Sequence, residues 1–228
     1  MTLPAPVAVL AVMAKAPVPG RCKTRLARTL GHARAVELYR AMLQDTLECL
    51  SSVPRVRRVV LAAPEDDGPA ILRALCPAGW EVVPQAGAGL GERLANGVRV
   101  LGAAGEAVVL LDSDSPLLPV QALAEGLARL RCPGQAMIGP CEDGGYYAIG
   151  LSVSELGLFE DIPWSTPAVL DATRSRCRAL GVAWEELAPS FDVDDEDGLA
   201  SLRARLSRSP SLAPHSARAL GLAEGAGA

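Results

Sequence analysis

Apolar positions fall into two alternating patterns along the whole chain. Short continuous apolar runs read as buried strands: Pro6–Ala14, Val56–Ala63, Ala107–Leu111 and, less cleanly, Glu81–Val83, Gln135–Ile138 and Tyr146–Leu151. Between them lie stretches with helical spacing. Ala33–Leu50 is the longest, with Val36, Leu38, Met42, Leu43 and Leu47 on one face. Pro69–Leu75, Glu92–Leu101, Pro119–Leu130, Thr166–Leu180 and Glu196–Leu206 read as further helices. Pro64-Glu65-Asp66-Asp67-Gly68 is turn chemistry. Strands alternating with helices of this length predict an α/β fold with a mostly parallel central sheet and helices on both faces. Residues 1–206 fit one domain. The Ser/Pro/Ala/Gly-rich stretch 207–228 is expected to be a flexible C-terminal tail.

Composition narrows the function. Half of the 228 residues are apolar and 21% are charged, with net charge −4. A protein that coats nucleic acid would be basic, so a nucleic-acid partner is not expected. The run Val7–Ala14 is too short to span a membrane, and no spanning segment follows it, so a cytoplasmic address is expected. Six scattered Cys show no metal or disulfide spacing. The two His, one of them in the expected tail, argue against His-based catalysis or zinc. Lys15 and Lys23 are the only lysines beside twenty arginines, and both sit in one short segment. That is either compositional bias or a place needing a compact ammonium rather than a planar fork.

Four motifs carry candidate chemistry. The loop Ala14–Leu26 leaves the first strand, where open α/β sheets place ligands. It holds Lys15, Arg21, Lys23 and Arg25, is stiffened by prolines, and has Gly20 for close backbone approach. A diphosphate suits such a loop; a solvated loop with scattered positive charge is the plainer reading. Cys22 stands where a P-loop needs Gly. Next, Asp112-Ser113-Asp114 follows the strand Ala107–Leu111. Carboxylates at i and i+2 project to one side and can hold Mg²⁺ or Mn²⁺ while ligand phosphates complete the shell. The alternative is turn and cap chemistry before Pro116. In Cys141-Glu142-Asp143-Gly144-Gly145-Tyr146, Asp143 can face an acceptor hydroxyl, with Gly144 and Gly145 leaving room and Tyr146 beside them; otherwise it is a plain hairpin. Last, Asp192 and Asp194 share an i, i+2 face before the final predicted helix and stand as further metal candidates. Glu196 and Asp197 are explained by the helix dipole alone. Two more features belong with these. The loop Gly87–Gly91 reads as a flexible cover over a nucleotide, and Trp164 as either a core anchor or a stacking wall.

These stretches together resemble a bacterial transferase family of the GT-A (nucleotide-diphospho-sugar transferase) fold, labelled MobA-like or DUF2064. The resemblance rests on AKAPVPGRCKTRL (14–26), LGERL (90–94), LDSDSP (111–116), GPCEDGGYYAIGL (139–151), IPWSTP (162–167) and FDVDDEDGL (191–199). It implies a nucleotide cradle near the N-terminus and a metal-binding pair at Asp112 and Asp114. The chain departs from the family pattern at Leu111, where Gly is usual, and at Asp195, where Thr is usual. Two enzyme readings follow from the resemblance. In glycosyl transfer from a nucleotide sugar, Asp112 and Asp114 hold the cation that neutralises the departing diphosphate, and Asp143 is the base. In nucleotidyl transfer from an NTP to a phosphorylated small molecule, Lys15, Arg21, Lys23 and Arg25 stabilise charge at the α-phosphorus. In both, Lys23 is a catalytic as well as a nucleotide-binding candidate, and Gly20 and Gly91 line the nucleotide. A catalytically inert nucleotide-binding module is the third reading.

Overall fold

The computed structural model describes residues 8–103, 105–130 and 134–222. Seven strands form one sheet: β1 (Ala8–Lys15), β2 (Val56–Ala63), β3 (Trp80–Pro84), β4 (Ala107–Leu111), β5 (Gln135–Pro140), β6 (Tyr146–Leu151) and β7 (Ala183–Glu186). Their spatial order is β3-β2-β1-β4-β6-β5-β7. β6 alone runs against its neighbours β4 and β5; every other pairing is parallel. Among the described residues the α-helices, in chain order, are α1 (Ala27–Leu30), α2 (His32–Ser51), α3 (Gly68–Arg73), α4 (Leu90–Leu101), α5 (Val120–Arg129), α6 (Val169–Leu180), α7 (Glu196–Arg208) and α8 (Pro214–Ala219).

The continuous apolar runs have a simple cause: the central strands are buried on both faces. Leu10, Val12 and Ala14 of β1 join Val109 and Leu111 of β4 against α2, α3 and α5. The alternate residues, Val9 and Ala11 with Val108 and Leu110, join Leu94, Val98 and Leu101 of α4 on the other face. The pleat thus sends successive side chains into two separate cores, so neither position of the period can be polar.

Boundaries shift where side chains compete with the helix. The predicted helix Thr166–Leu180 begins at Val169, because Thr166 Oγ1 donates to the Pro163 carbonyl at 2.7 Å and forms a turn. β7 was not predicted; its sequence, Ala-Trp-Glu-Glu, lacks strand periodicity and pairs only with β5. The strand start at Pro6–Val7, Cys132 and positions 223–228 of the expected tail lie outside the described residues.

The expectation of a tail from residue 207 is corrected by the structure. α7 runs on to Arg208, a 3-10 turn follows at Pro210–Leu212, and α8 packs on α2. Ala213, Ser216 and Ala217 are fully buried with Leu38, Tyr39 and Met42 of α2 and Leu202 and Leu206 of α7. The buried Asp45 carboxylate accepts from the His215 amide (2.9 Å), the Ser216 amide (2.8 Å) and Ser216 Oγ (2.6 Å). Small side chains that mimic low complexity are here the ones that let a helix lie close.

Candidate active site

β1 and β4 are parallel neighbours, so their carboxyl ends open side by side onto one surface. The reversed strand β6 starts at the same edge, since Ala148 pairs with Leu111. The short hairpin 141–145 therefore stands next to the end of β4. A cleft of about 630 Å³ opens along this line.

Most of the residues singled out in the sequence meet there. Asp112, Asp114, Asp143, Asp192 and Asp194 all line the cleft, with Arg25 as the cation among the lining residues. Gly145, Tyr146 and Trp164 line it too, alongside Met13, Leu90, Leu94 and Ile149. The lining thus combines carboxylates with aromatic and aliphatic side chains. Trp164 lies edge-on to Tyr146 with ring centroids 6.4 Å apart. Gly91 is required behind it, because a Cβ there would come within 2.5 Å of the Trp164 indole nitrogen. Gly144 has φ +87°, and a Cβ on it would lie 2.2 Å from the Pro167 carbonyl oxygen, so it joins the hairpin to the Trp164 loop rather than lining the cleft. Asp143 Oδ1 accepts from the Gly145 amide at 2.8 Å, which fixes its carboxylate inside its own turn.

The basic loop sits differently from the expectation. Arg21 pairs with Asp67 at 2.8 Å, and neither Arg21, Lys15 nor Gly20 lines the cleft. Lys23, expected to face a phosphate, is buried, with its side chain 3% exposed. Its ammonium contacts Asp114 Oδ2 (2.8 Å), donates to the Val193 carbonyl (2.8 Å) and lies 3.5 Å from Asp194 Oδ1. Arg25 reaches the other oxygen of Asp194 at 3.1 Å. Burial works against the Lys23 charge, but Asp114, by charge and hydrogen bond, and then Asp194 and Asp112, outweigh it and hold the lysine above its ordinary pKa.

Asp112 has a different environment. Oδ2 accepts from Ser115 Oγ at 2.7 Å, while Oδ1 is buried with no hydrogen-bond partner. Burial, then the charges of Asp114 and Asp192, push its pKa up to about 8. Burial and the nearby Asp143 push Asp192 to about 6. Among the described residues, no three metal-ligating side chains are gathered closely enough to hold an ion unaided. An unpartnered buried carboxylate oxygen beside a second carboxylate fits a hard divalent cation whose remaining ligands come from phosphate and water.

Sequence reasoning missed Tyr39, which is 2% exposed on α2. Its hydroxyl accepts from the Lys15 amide (3.1 Å) and shares a hydrogen bond with Ser113 Oγ (3.0 Å). Its helical spacing marks it only as a core residue, and its phenolic oxygen is the one signal that it needed a polar partner. Asp195, the departure from the family pattern, caps α7 by accepting from the Gly198 amide at 3.1 Å, a role Asp fills as well as Thr.

Comparison with known proteins agrees with this architecture. Residues 46–166, just over half of the chain, match the DUF2064 model, described as an uncharacterized protein conserved in bacteria. The chain belongs to that family. A candidate nucleotide-diphospho-sugar transferase from Desulfovibrio desulfuricans G20 is 28% identical, with TM-score 0.84 over 95% of this chain and 96% of that one. A CMP:2-keto-3-deoxy-manno-octonic acid synthetase solved with CTP is 14% identical, with TM-score 0.54 over 88% of this chain and 98% of that one. A cytidylyltransferase from Leptospira borgpetersenii serovar Hardjo-bovis is 13% identical, with TM-score 0.58 over 95% and 93%. The chain has the fold of the nucleotide-diphospho-sugar transferases. No curated protein matches it. Among the described residues, no helix is long and apolar enough to cross a membrane.

Proposed function

We propose that the chain is a metal-dependent transferase that moves a glycosyl group from a nucleotide sugar to a small-molecule acceptor. The observation that carries this reading is the make-up of the cleft lining: five carboxylates, the aromatic rings of Tyr146 and Trp164, and Arg25 as the cation among the lining residues. Nucleotidyl transfer would call for several cations around the α-phosphorus. Lys23 and Arg21 instead spend their charges on Asp114 and Asp67.

In this reading Asp112 and Asp192 would hold Mg²⁺ or Mn²⁺, with Asp114 and Asp194 behind them. The cation would supply charge neutralisation for the departing nucleoside diphosphate. Arg25, exposed beside Asp194, would meet a phosphate oxygen. Asp143, fixed by Gly145, takes the proton of the acceptor hydroxyl as that oxygen bonds to the sugar carbon. Trp164 and Tyr146 give a ring face and edge for the sugar or the acceptor body.

A thermal-shift panel of NTPs, NDPs and nucleotide sugars, with and without Mn²⁺, tests this. The expected result is the largest stabilisation by a nucleotide sugar in the presence of Mn²⁺. Selective stabilisation by an NTP would replace glycosyl with nucleotidyl transfer. Silence throughout would leave the inert module.

A further inference from the structure

Lys23 is held in place at a cost in backbone strain. It is a non-glycine at φ +50°, a left-handed conformation that L-residues avoid, and the strain persists only where surroundings enforce it. The enforcement is visible. The three donors of an ammonium have three acceptors around it, in Asp114, the Val193 carbonyl and Asp194. The Tyr39 ring covers it at 5.7 Å. On the far side, Ser113 Oγ donates to Asp114 Oδ1 at 3.1 Å and is itself bonded to Tyr39. Both oxygens of Asp114 are therefore committed. The backbone repeats the connection, since the Val193 amide donates to the Asp114 carbonyl at 3.0 Å. Twenty arginines elsewhere in the chain show no shortage of planar cations; this pocket takes a compact one.

We infer that Lys23 is a built-in counter-cation and a positioning residue. It ties the acidic segment after β4 to the acidic segment before α7, and it withholds Asp114 and Asp194 from an incoming divalent cation, so that Asp112 Oδ1 is the uncommitted oxygen. The functional consequence rests on the reading of the cleft as a nucleotide and cation site; the pairing itself does not.

Two measurements test this. The first is a nucleotide-free Mn²⁺ titration followed by the electron paramagnetic resonance signal of free Mn²⁺. Lys23→Met frees Asp114 Oδ2 and Asp194 Oδ1 and is expected to tighten Mn²⁺ binding by about tenfold or more. Unchanged Mn²⁺ affinity together with weakened nucleotide binding would overturn the inference and make Lys23 a phosphate ligand. The second is a stability cycle in metal-free buffer with Lys23→Met, Asp114→Asn and the double variant. The double variant is expected to unfold at higher denaturant than Lys23→Met, because it leaves no uncompensated Asp114. Additive losses would overturn the pairing, and this arm stands even if Lys23→Met alone does not fold. Non-additivity with a wild type that binds no Mn²⁺ would uphold the pairing and refute the cation site.

Discussion

Asp112→Asn should make the metal-free protein more stable at neutral and alkaline pH, not less. The native carboxyl has its pKa raised to about 8, against an ordinary value of 3.8. The folded chain therefore binds this proton more tightly than the unfolded chain. Stability falls as pH rises through that window and levels off above about pH 8. Asp192, raised to about 6, contributes the same sign at lower pH, so the range above 6 isolates Asp112. With one proton's difference between the states, the slope is about 1.4 kcal/mol per pH unit, or about 2 kcal/mol between about pH 6 and about pH 7.5. Asn keeps the shape and an acceptor for Ser115, and it resembles the protonated acid. It should abolish this slope and match the wild type at low pH. Urea unfolding in EDTA across the range measures both effects; for a chain of this length the difference amounts to roughly 2–4 °C in melting temperature per kcal/mol. Mn²⁺ should reverse the trend in the wild type alone, stabilising it more as pH rises, because the cation binds the ionised form. A variant with the wild-type slope, or one less stable than the wild type near about pH 8, would refute the reasoning.

Two further outcomes follow from the geometry. Truncation after Ser209 removes the donors to buried Asp45 and uncovers part of α2, so a loss of about 2–4 kcal/mol is expected in denaturant unfolding, and an unchanged midpoint would show that α8 is not docked in solution. Asp143→Asn should lower kcat by about 10²- to 10⁴-fold with KM and melting temperature nearly unchanged; full turnover would remove the base assignment.

The sequence made the sheet legible because β2, β4 and β6 are buried on both faces or nearly so, and continuous apolar runs admit few other structures. The acidic pair after β4 was legible for a related reason: polar residues following such a run must stand at the sheet's edge. The inward turn of Lys23 was not, because its partner Val193 lies 170 residues away and the left-handed backbone leaves no local trace. α8 was missed because Ala, Ser and Pro carry no periodicity of their own. What holds it is the fit of Ala213 and Ala217 against α2 and α7 together with one carboxylate on a helix far upstream.

The two walls of the cleft are built by unlike means. The wall carrying Asp112 and Asp114 is cross-linked through Lys23 and Tyr39 into three separate parts of the chain. The wall carrying Asp143 is a tight hairpin between adjacent strands, leaning on the loop of Trp164. The first bank is held by charge and hydrogen bonds from distant segments, the second by close approach of backbone at Gly91 and Gly144, so a bulkier residue at either glycine would displace the Trp164 side while leaving the Lys23 pairing intact.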